Sequence, residues 1–119
     1  MKTYQDLIVW QKSIELVTNI YRLTEKFPKE EIFGITSQIQ RAAVSIPSNI
    51  AEGKMRGGNT EFKRFLLIAL ASGAELETQL FISKKLPKTA KLDYNNIDSL
   101  LEEIMKMLNK LISQLGPSA

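Results

Sequence analysis

The chain has 119 residues, of which 44% are apolar and 24% are charged, and its net charge is +3. This length and composition are typical of one globular domain with a single hydrophobic core. Cysteine and histidine are both absent, which excludes disulfides, thiolate chemistry, histidine-activated nucleophiles and nearly all zinc sites. We therefore expect no metal, no cofactor and no catalytic residue.

The N-terminal stretch MKTYQDLIVW has no long apolar segment followed by a cleavage site. No apolar run approaches the ~18 residues that a membrane-spanning helix needs. These two features predict a cytoplasmic protein that does not contact a membrane.

Helical periodicity marks four segments along the chain, and none alternates like a strand. The first helix is predicted at 5–26, where Phe27-Pro28 ends it because the residue before a proline avoids helical geometry. The second helix is predicted at 30–52, with a row of isoleucines on one side and Gly53 as its C-terminal cap.

The third helix is predicted at 60–86, with Asn59 or Thr60 as its N-cap. The fourth is predicted at 94–115, with Asp93 as its cap. Short connections favour antiparallel neighbours. The sequence therefore predicts an all-α fold, an antiparallel up-down-up-down four-helix bundle that forms one domain over 1–119.

The first predicted helix is apolar over roughly 200° of its circumference, whereas a helix buried on one side usually shows about 100° or somewhat more. A small bundle that simply needs wide apolar faces is one explanation. The explanation that we favour is a second subunit, because contiguous exposed apolar patches are uncommon on monomers. We therefore predict a homo-oligomer whose interface contains four residues of this helix: Val9, Leu16, Ile20 and Leu23.

Pro47 falls inside the second predicted helix, in the stretch RAAVSIPSNIAEG. A proline there removes the hydrogen bond to the Ala43 carbonyl and costs about 3 kcal/mol in a helix interior. The helix either kinks and continues, or breaks and restarts with Pro47 in its first turn. We predict the kink, because the restarted helix would be very short.

Polar residues accompany the proline at helical spacing. Ser45 and Asn49 can bond backbone groups that a kink frees. In the predicted hairpin, Arg41 lies opposite Ser72 of the third helix and one turn from Glu75, which predicts an Arg41–Glu75 pair. We interpret the set Arg41, Ser45, Asn49 and Glu75 as a structural polar network, because such networks more often fix register than perform chemistry.

Several motifs occur together in a fixed order: DLIVWQKSIELV, FPKEE, QIQRAAVSIPSNIAEG and AELETQL. Over 4–115 the chain resembles the four-helix-bundle proteins named for 23S ribosomal RNA intervening sequences. Many members of that family have Gly-Ser in the third helix, where this sequence has Ala71-Ser72 followed by Gly73.

The resemblance implies a four-helix subunit and a ring-like homopentamer, but it implies little about activity, because most members have no assigned function. A related bundle, the accessory variability protein of diversity-generating retroelements, works with a reverse transcriptase and binds nucleic acid. That relation concerns a fold and an assembly, so it locates no site in this chain.

Basic residues form two clusters, which the predicted topology places at opposite ends of the bundle. The clusters are Lys84, Lys85, Lys88 and Lys91, and Lys54, Arg56, Lys63 and Arg64. Neither has a recognised nucleic-acid motif or interleaved stacking aromatics. Repetition around a ring would nevertheless strengthen phosphate binding, which grows steeply with the number of contacts.

Two functions follow from these features. The first is a non-catalytic oligomeric accessory protein that binds structured RNA or DNA through its basic rims. The alternative is a protein–protein interaction scaffold, in which the charge only aids solubility. We expect no enzyme, because no two carboxylates on one helix face each other and GKMRGG lacks the spacing of a P-loop.

Overall fold

Helices account for most of residues 3–116, which are the residues that a computed structural model of the chain describes. The four α-helices are α1 (Ile8–Thr24), α2 (Ile35–Met55), α3 (Asn59–Ser83) and α4 (Asn95–Gln114). Two single-turn 3-10 helices, Tyr4–Asp6 and Lys29–Glu31, precede α1 and α2. The predicted all-α four-helix fold is confirmed.

The N-terminal boundary of α1 differs from the predicted 5–26 because a capped turn precedes the helix. The Thr3 hydroxyl accepts a hydrogen bond from the Gln5 backbone at 3.1 Å, and the Asp6 carboxylate accepts one from the Thr3 backbone at 3.2 Å. These reciprocal bonds form a capping box. Leu7 is then extended, with φ −73° and ψ 124°, so α1 starts only at Ile8.

The position of Gly53 corrects the predicted end of the second helix. This glycine lies inside α2 and is buried, so it is not a C-terminal cap. A Cβ at Gly53 would lie 2.5 Å from the Cβ of Phe65, so the missing side chain allows α2 to approach α3 closely. The turn to α3 uses Gly57 and Gly58 instead, whose positive φ angles of 76° and 85° suit glycine.

The proline in α2 does not interrupt the helix. α2 runs from Ile35 to Met55 through Pro47, so the alternative of a break and restart is wrong. The kink stays a prediction.

Each helix contacts two of the other three, α1 and α3 both packing against α2 and α4. The result is a four-sided bundle of 47 × 23 × 22 Å, in which α1 lies across from α3. Lys88 Nζ lies 2.8 Å from Glu30 Oε2, which joins connections 25–34 and 84–94 at one end, here named the loop end. The opposite end, which holds the tight turn 56–58, is named the hairpin end.

The core consists mainly of leucines and isoleucines from all four helices. Leu16, Ile46, Leu76 and Ile104 are completely buried. Burial of each such side chain contributes about 1.5–3 kcal/mol, so packing rather than helix propensity holds the bundle together. Gly73 approaches Met105 of α4 so closely that a Cβ there would overlap the methionine sulfur.

Candidate functional site

The two arginines at the hairpin end are bound to acids and lie over an aromatic ring. Arg56 contacts Glu52 at 2.8 Å and Glu61 at 3.8 Å, and Arg64 contacts Glu61 at 3.0 Å. Both guanidinium groups lie over the ring of Phe65, at 5.0 and 4.5 Å from its centroid. A cation over an aromatic face is attracted by the ring quadrupole. Both guanidinium groups of this cluster are therefore already engaged by the acids and by the ring of Phe65.

The pKa values at the hairpin end follow from these contacts. The hydrogen bond from Arg64 lowers the pKa of the Glu61 carboxyl, and the same bond raises the pKa of Arg64.

The two lysines of the hairpin end make other contacts. Lys63 donates a hydrogen bond to the Gly116 carbonyl. Lys54 lies 5.3 Å from the Phe62 ring centroid and forms no ion pair within the described residues.

At the loop end, two of the four predicted lysines are also paired. Lys84 lies 2.6 Å from Asp98, and Lys88 lies 2.8 Å from Glu30. The hydrogen bond between Lys88 and Glu30 lowers the pKa of the Glu30 carboxyl and raises the pKa of the Lys88 ammonium. Both side chains of that pair are largely exposed, so water screens their attraction.

The other two lysines of this end remain available. Lys85 lies 5.2 Å from the ring centroid of Phe81, and Lys91 is exposed. Neither forms an ion pair with any residue that the structure describes. Lys29, in the other connection of the same end, is exposed and equally unpaired within those residues.

The predicted polar network exists in part, at a register shifted by one helical turn. Ser45 and Ser72 share a hydrogen bond of 2.8 Å between their hydroxyls. Asn49 donates to the Ser45 hydroxyl at 2.9 Å and to the Ser45 carbonyl at 2.8 Å. Ser45, rather than Arg41, therefore faces Ser72.

The predicted Arg41–Glu75 pair is wrong. Both side chains are exposed, and they form no ion pair with each other in the described part of the chain. The shift in register accounts for this, because it places the smaller serine where the sequence pattern placed the arginine.

The residues predicted as the subunit interface belong instead to the core of the single chain. Val9 and Leu23 are 3% and 5% exposed, and Leu16 and Ile20 are completely buried. That assignment is therefore wrong. The apolar arc of α1 is wide enough to supply both an inner and an outer face, and its periodicity does not show which side points inward.

The apolar side chains that do face solvent lie on other positions. On α1 and α2 they are Ile8, Ile14, Tyr21, Val44 and Met55; on α3 they are Leu67, Ile68, Phe81 and Ile82; in the connections they are Ile32, Phe33 and Leu86. Exposed apolar side chains that lie together on one surface mark an interaction site. For α1 the sequence signal was the excess width of its apolar arc, which does not show which of its residues are exposed. The exposed residues of the other elements had no such signal.

Two of these sets form opposite faces. Tyr21 of α1 and Val44 of α2 line one shallow groove, and Ile14 lies two turns before Tyr21. These three residues are named the α1–α2 face. Leu67 and Phe81, which lie close to one line along α3, are named the α3 face. The faces lie on different sides, since α1 and α3 do not contact each other.

The length and composition of α3 match those of a membrane-spanning helix. Its mean hydropathy reaches 1.5 over an 18-residue window, of which 39% is buried in the bundle. A core helix of a soluble protein meets the same criterion. α3 packs against α2 and α4, and its exposed Leu67 and Phe81 show that part of its apolar surface lies outside the core.

A groove between α3 and α4 combines acids with an aromatic side chain. Its volume is about 490 Å³, and its lining residues include Glu77, Phe81, Asp98 and Glu102. Within the described residues there is no group of three or more His, Cys, Asp or Glu side chains that could hold a metal ion.

Comparison with known proteins identifies the family of the chain. No curated protein matches the chain significantly. The family model named 23S rRNA-intervening sequence protein matches residues 5–110, a range that includes α1, α2, α3 and most of α4. The chain therefore belongs to the 23S rRNA-intervening sequence protein family.

Proposed function

We propose that this protein is a cytoplasmic, non-catalytic accessory subunit that works as a homo-oligomer. The observation that carries the proposal is the pair of exposed apolar faces on opposite sides of one small bundle. An exposed tyrosine on α1 and an exposed phenylalanine on α3 each bury a large area when covered. For a subunit of 13.5 kDa, an assembly that covers both faces removes more apolar surface from water than one that covers a single face.

The two faces differ in their residues, and this difference favours a particular kind of contact. An isologous dimer buries the same patch on both subunits and would leave the other face exposed. A heterologous contact places the α1–α2 face of one subunit on the α3 face of the next, and it closes into a ring when the rotation permits. The pentameric ring that the family resemblance implies is one such assembly.

Light scattering of the purified protein at micromolar concentration tests the assembly, and we expect a mass of several 13.5 kDa subunits. Tyr21→Glu and Leu67→Glu should each reduce this mass, because each places a charge on one face. Met55→Glu, at an exposed position on neither face, is the matched control. A monomeric wild type would overturn the proposal.

Mixing the two variants distinguishes the kinds of contact. Tyr21→Glu retains an intact α3 face, and Leu67→Glu retains an intact α1–α2 face. A heterologous contact predicts that the mixture forms a dimer with one subunit of each, because one intact pair of faces remains. An isologous contact through either face predicts no mixed dimer.

We further propose that the oligomer binds nucleic acid through its loop end. The supporting observation is that Lys29, Lys85 and Lys91 have no carboxylate partner within the described residues, so they are available to phosphates. Assembly repeats this small cluster on every subunit, and affinity for phosphates rises steeply with the number of contacts.

Fluorescence anisotropy with a labelled structured RNA and a duplex DNA, at several salt concentrations, tests this binding. We expect the logarithm of the affinity to fall linearly with the logarithm of salt concentration. Lys85→Gln combined with Lys91→Gln should weaken binding and flatten this slope. Lys106→Gln combined with Lys110→Gln on α4 removes the same charge elsewhere and serves as the control. No binding at low salt would refute this part of the proposal.

The alternative is a protein scaffold without a nucleic-acid role. The groove between α3 and α4 favours it, since the Glu77 carboxylate has no ion-pair partner within the described residues and suits a basic protein segment. Asp98 and Glu102 of the same groove already pair with Lys84 and Lys106. A pull-down that recovers one protein and no nucleic acid, and that Glu77→Gln with Glu102→Gln abolishes, would support the scaffold.

A further inference from the structure

Phe33 is the most exposed large apolar side chain in the part of the chain that the structure describes, at 95% exposure. It lies in the connection between α1 and α2, immediately after Ile32, which is also exposed. The folded subunit gains almost nothing from this ring, because the side chain has hardly any buried surface. The whole ring is therefore accessible to another molecule.

The backbone around Phe33 holds the ring outward. The Ile32 amide donates to the Lys29 carbonyl at 3.2 Å, and the Gly34 amide donates to the Glu31 carbonyl at 2.9 Å. α2 begins directly afterwards at Ile35. Phe33 is thus presented on a hydrogen-bonded turn, which lowers the entropy cost of using it as a fixed platform.

The lysines of the loop end that have no ion-pair partner within the described residues suit a ligand with negative charge. The two connections of this end also carry the acids Glu25, Glu31 and Asp93. Phe33 follows Lys29 by four residues, and the second connection is joined to this turn through the contact of Lys88 with Glu30 at 2.8 Å. That second connection also carries Lys85 and Lys91, which have no carboxylate partner among residues 3–116. An open aromatic face at the same end of the bundle as unpaired ammonium groups complements a flat ring next to phosphates.

We propose that Phe33 stacks on an unpaired base, so that the loop end binds single-stranded nucleic acid rather than a duplex. The proposal rests on the nucleic-acid binding proposed above and adds the class of ligand. Proteins that bind single strands combine aromatic platforms with a positively charged surface. In a duplex the bases are already stacked on one another, so an exposed phenylalanine has no base face to contact.

The test is an anisotropy titration with three labelled probes of equal length: unstructured oligouridylate, oligothymidylate and a duplex. For Phe33→Ala we expect weaker binding to single strands by roughly 5- to 150-fold, the effect of losing one stacked base. Duplex binding should not change. The two single-stranded probes decide between RNA and DNA as the preferred ligand.

Two further variants make the result specific to stacking. Phe33→Trp should bind single strands about as tightly as the wild type does. The oligonucleotide should quench the tryptophan fluorescence of this variant more than it quenches that of the wild type, whose signal comes from Trp10 alone. Met55→Ala removes a side chain that is 71% exposed at the hairpin end, and it should leave all affinities unchanged.

Four results would overturn the inference. If Phe33→Ala weakens single-strand and duplex binding equally, or weakens neither of them, the ring does not stack on bases. The proposed lysine-dependent binding would then still stand. If Phe33→Ala lowers the mass in light scattering, the ring belongs to a subunit contact. If it abolishes binding to phosphatidylglycerol vesicles but not to oligonucleotides, the loop end binds a membrane surface. If the wild type binds none of the probes, the proposed nucleic-acid function fails together with the inference.

Discussion

The sequence predicted four candidate cations at each end of the bundle, but the two ends use them differently. At the hairpin end, Arg56 and Arg64 share Glu61 and lie over the ring of Phe65. At the loop end, Lys85 and Lys91 have no acid partner within the described residues.

The aromatic residues differ in the same way. Phe65 at the hairpin end is 6% exposed, whereas Phe33 at the loop end is 95% exposed. One end uses charge and aromatic surface to join two helices through a three-residue turn, and the other presents both to solvent. The count of basic residues in a sequence therefore does not measure the charge that a partner can reach.

The largest expected effect concerns these two phenylalanines. Phe65→Ala should lower the free energy of unfolding by about 3–5 kcal/mol, because it leaves a cavity under two guanidinium groups. Phe33→Ala should change it by no more than about 0.5 kcal/mol, because its side chain is exposed. Urea denaturation of both variants measures the difference. Equal losses would contradict the contrast between the ends.

A second prediction concerns the close approach of α2 and α3 beside Phe65. Gly53→Ala should cost about 1–3 kcal/mol, because the added Cβ would lie 2.5 Å from the Cβ of Phe65. Ser48→Ala, at an exposed position on the same helix, is the control and should change stability little. A stabilised Gly53→Ala protein in urea denaturation would show that the helices separate without cost.

A third prediction compares the acids that hold the cations. Glu61→Gln leaves Arg64 without its carboxylate partner while Arg56 keeps Glu52. Glu30→Gln releases the Lys88 ammonium group. Both variants should tighten RNA binding several-fold at low salt, and Glu30→Gln should have the larger effect, because it frees a lysine at the end that we propose as the binding surface. Anisotropy at two salt concentrations measures both. A larger gain for Glu61→Gln would place the main contact at the hairpin end and contradict the proposed binding surface.

The smallest expected effect is on the titration of Glu30. The hydrogen bond from Lys88 lowers the pKa of this carboxyl below its unfolded value. Its contribution to stability is therefore fully present above the unfolded pKa and is lost as the pH falls through the folded value. Lys88→Met should return the pKa of Glu30 towards its ordinary value, as carboxyl chemical shifts would record. Lys91→Met should leave that pKa unchanged, and a shift there would show that Lys91 also reaches Glu30.

The number and type of the helices were predictable because their signals are local. α4 was predicted at 94–115 and observed at Asn95–Gln114, since Asp93 precedes it and Gly116-Pro117 follows. Asp93 accepts a hydrogen bond from the Asn95 backbone at 3.0 Å, close to its predicted capping role. The start of α2 was missed by five residues, because Lys29–Glu31 forms a separate 3-10 turn whose residues also fit a helix.

The candidate sites were less predictable, because they depend on which residues of different helices meet. The Ser45–Ser72 contact lies one turn away from the predicted Arg41–Ser72 contact, and this shift removed the expected ion pair. Ion pairing at the loop end likewise joins residues far apart in sequence: Lys88 with Glu30, and Lys84 with Asp98. No periodicity within one helix contains that information.

The sequence by itself determined four helices, one core and more apolar surface than a single bundle conceals, because helix signals and side-chain hydrophobicity act over neighbouring residues. Only the tertiary structure decided which side of α1 faces inward and which cations pair with a carboxylate. It also decided that the side chain of Phe33 is exposed to solvent. These depend on the rotation and axial register of each helix against its neighbours. Packing fixes both through close contacts, such as that of Gly53 with Phe65, which the chain makes only when folded.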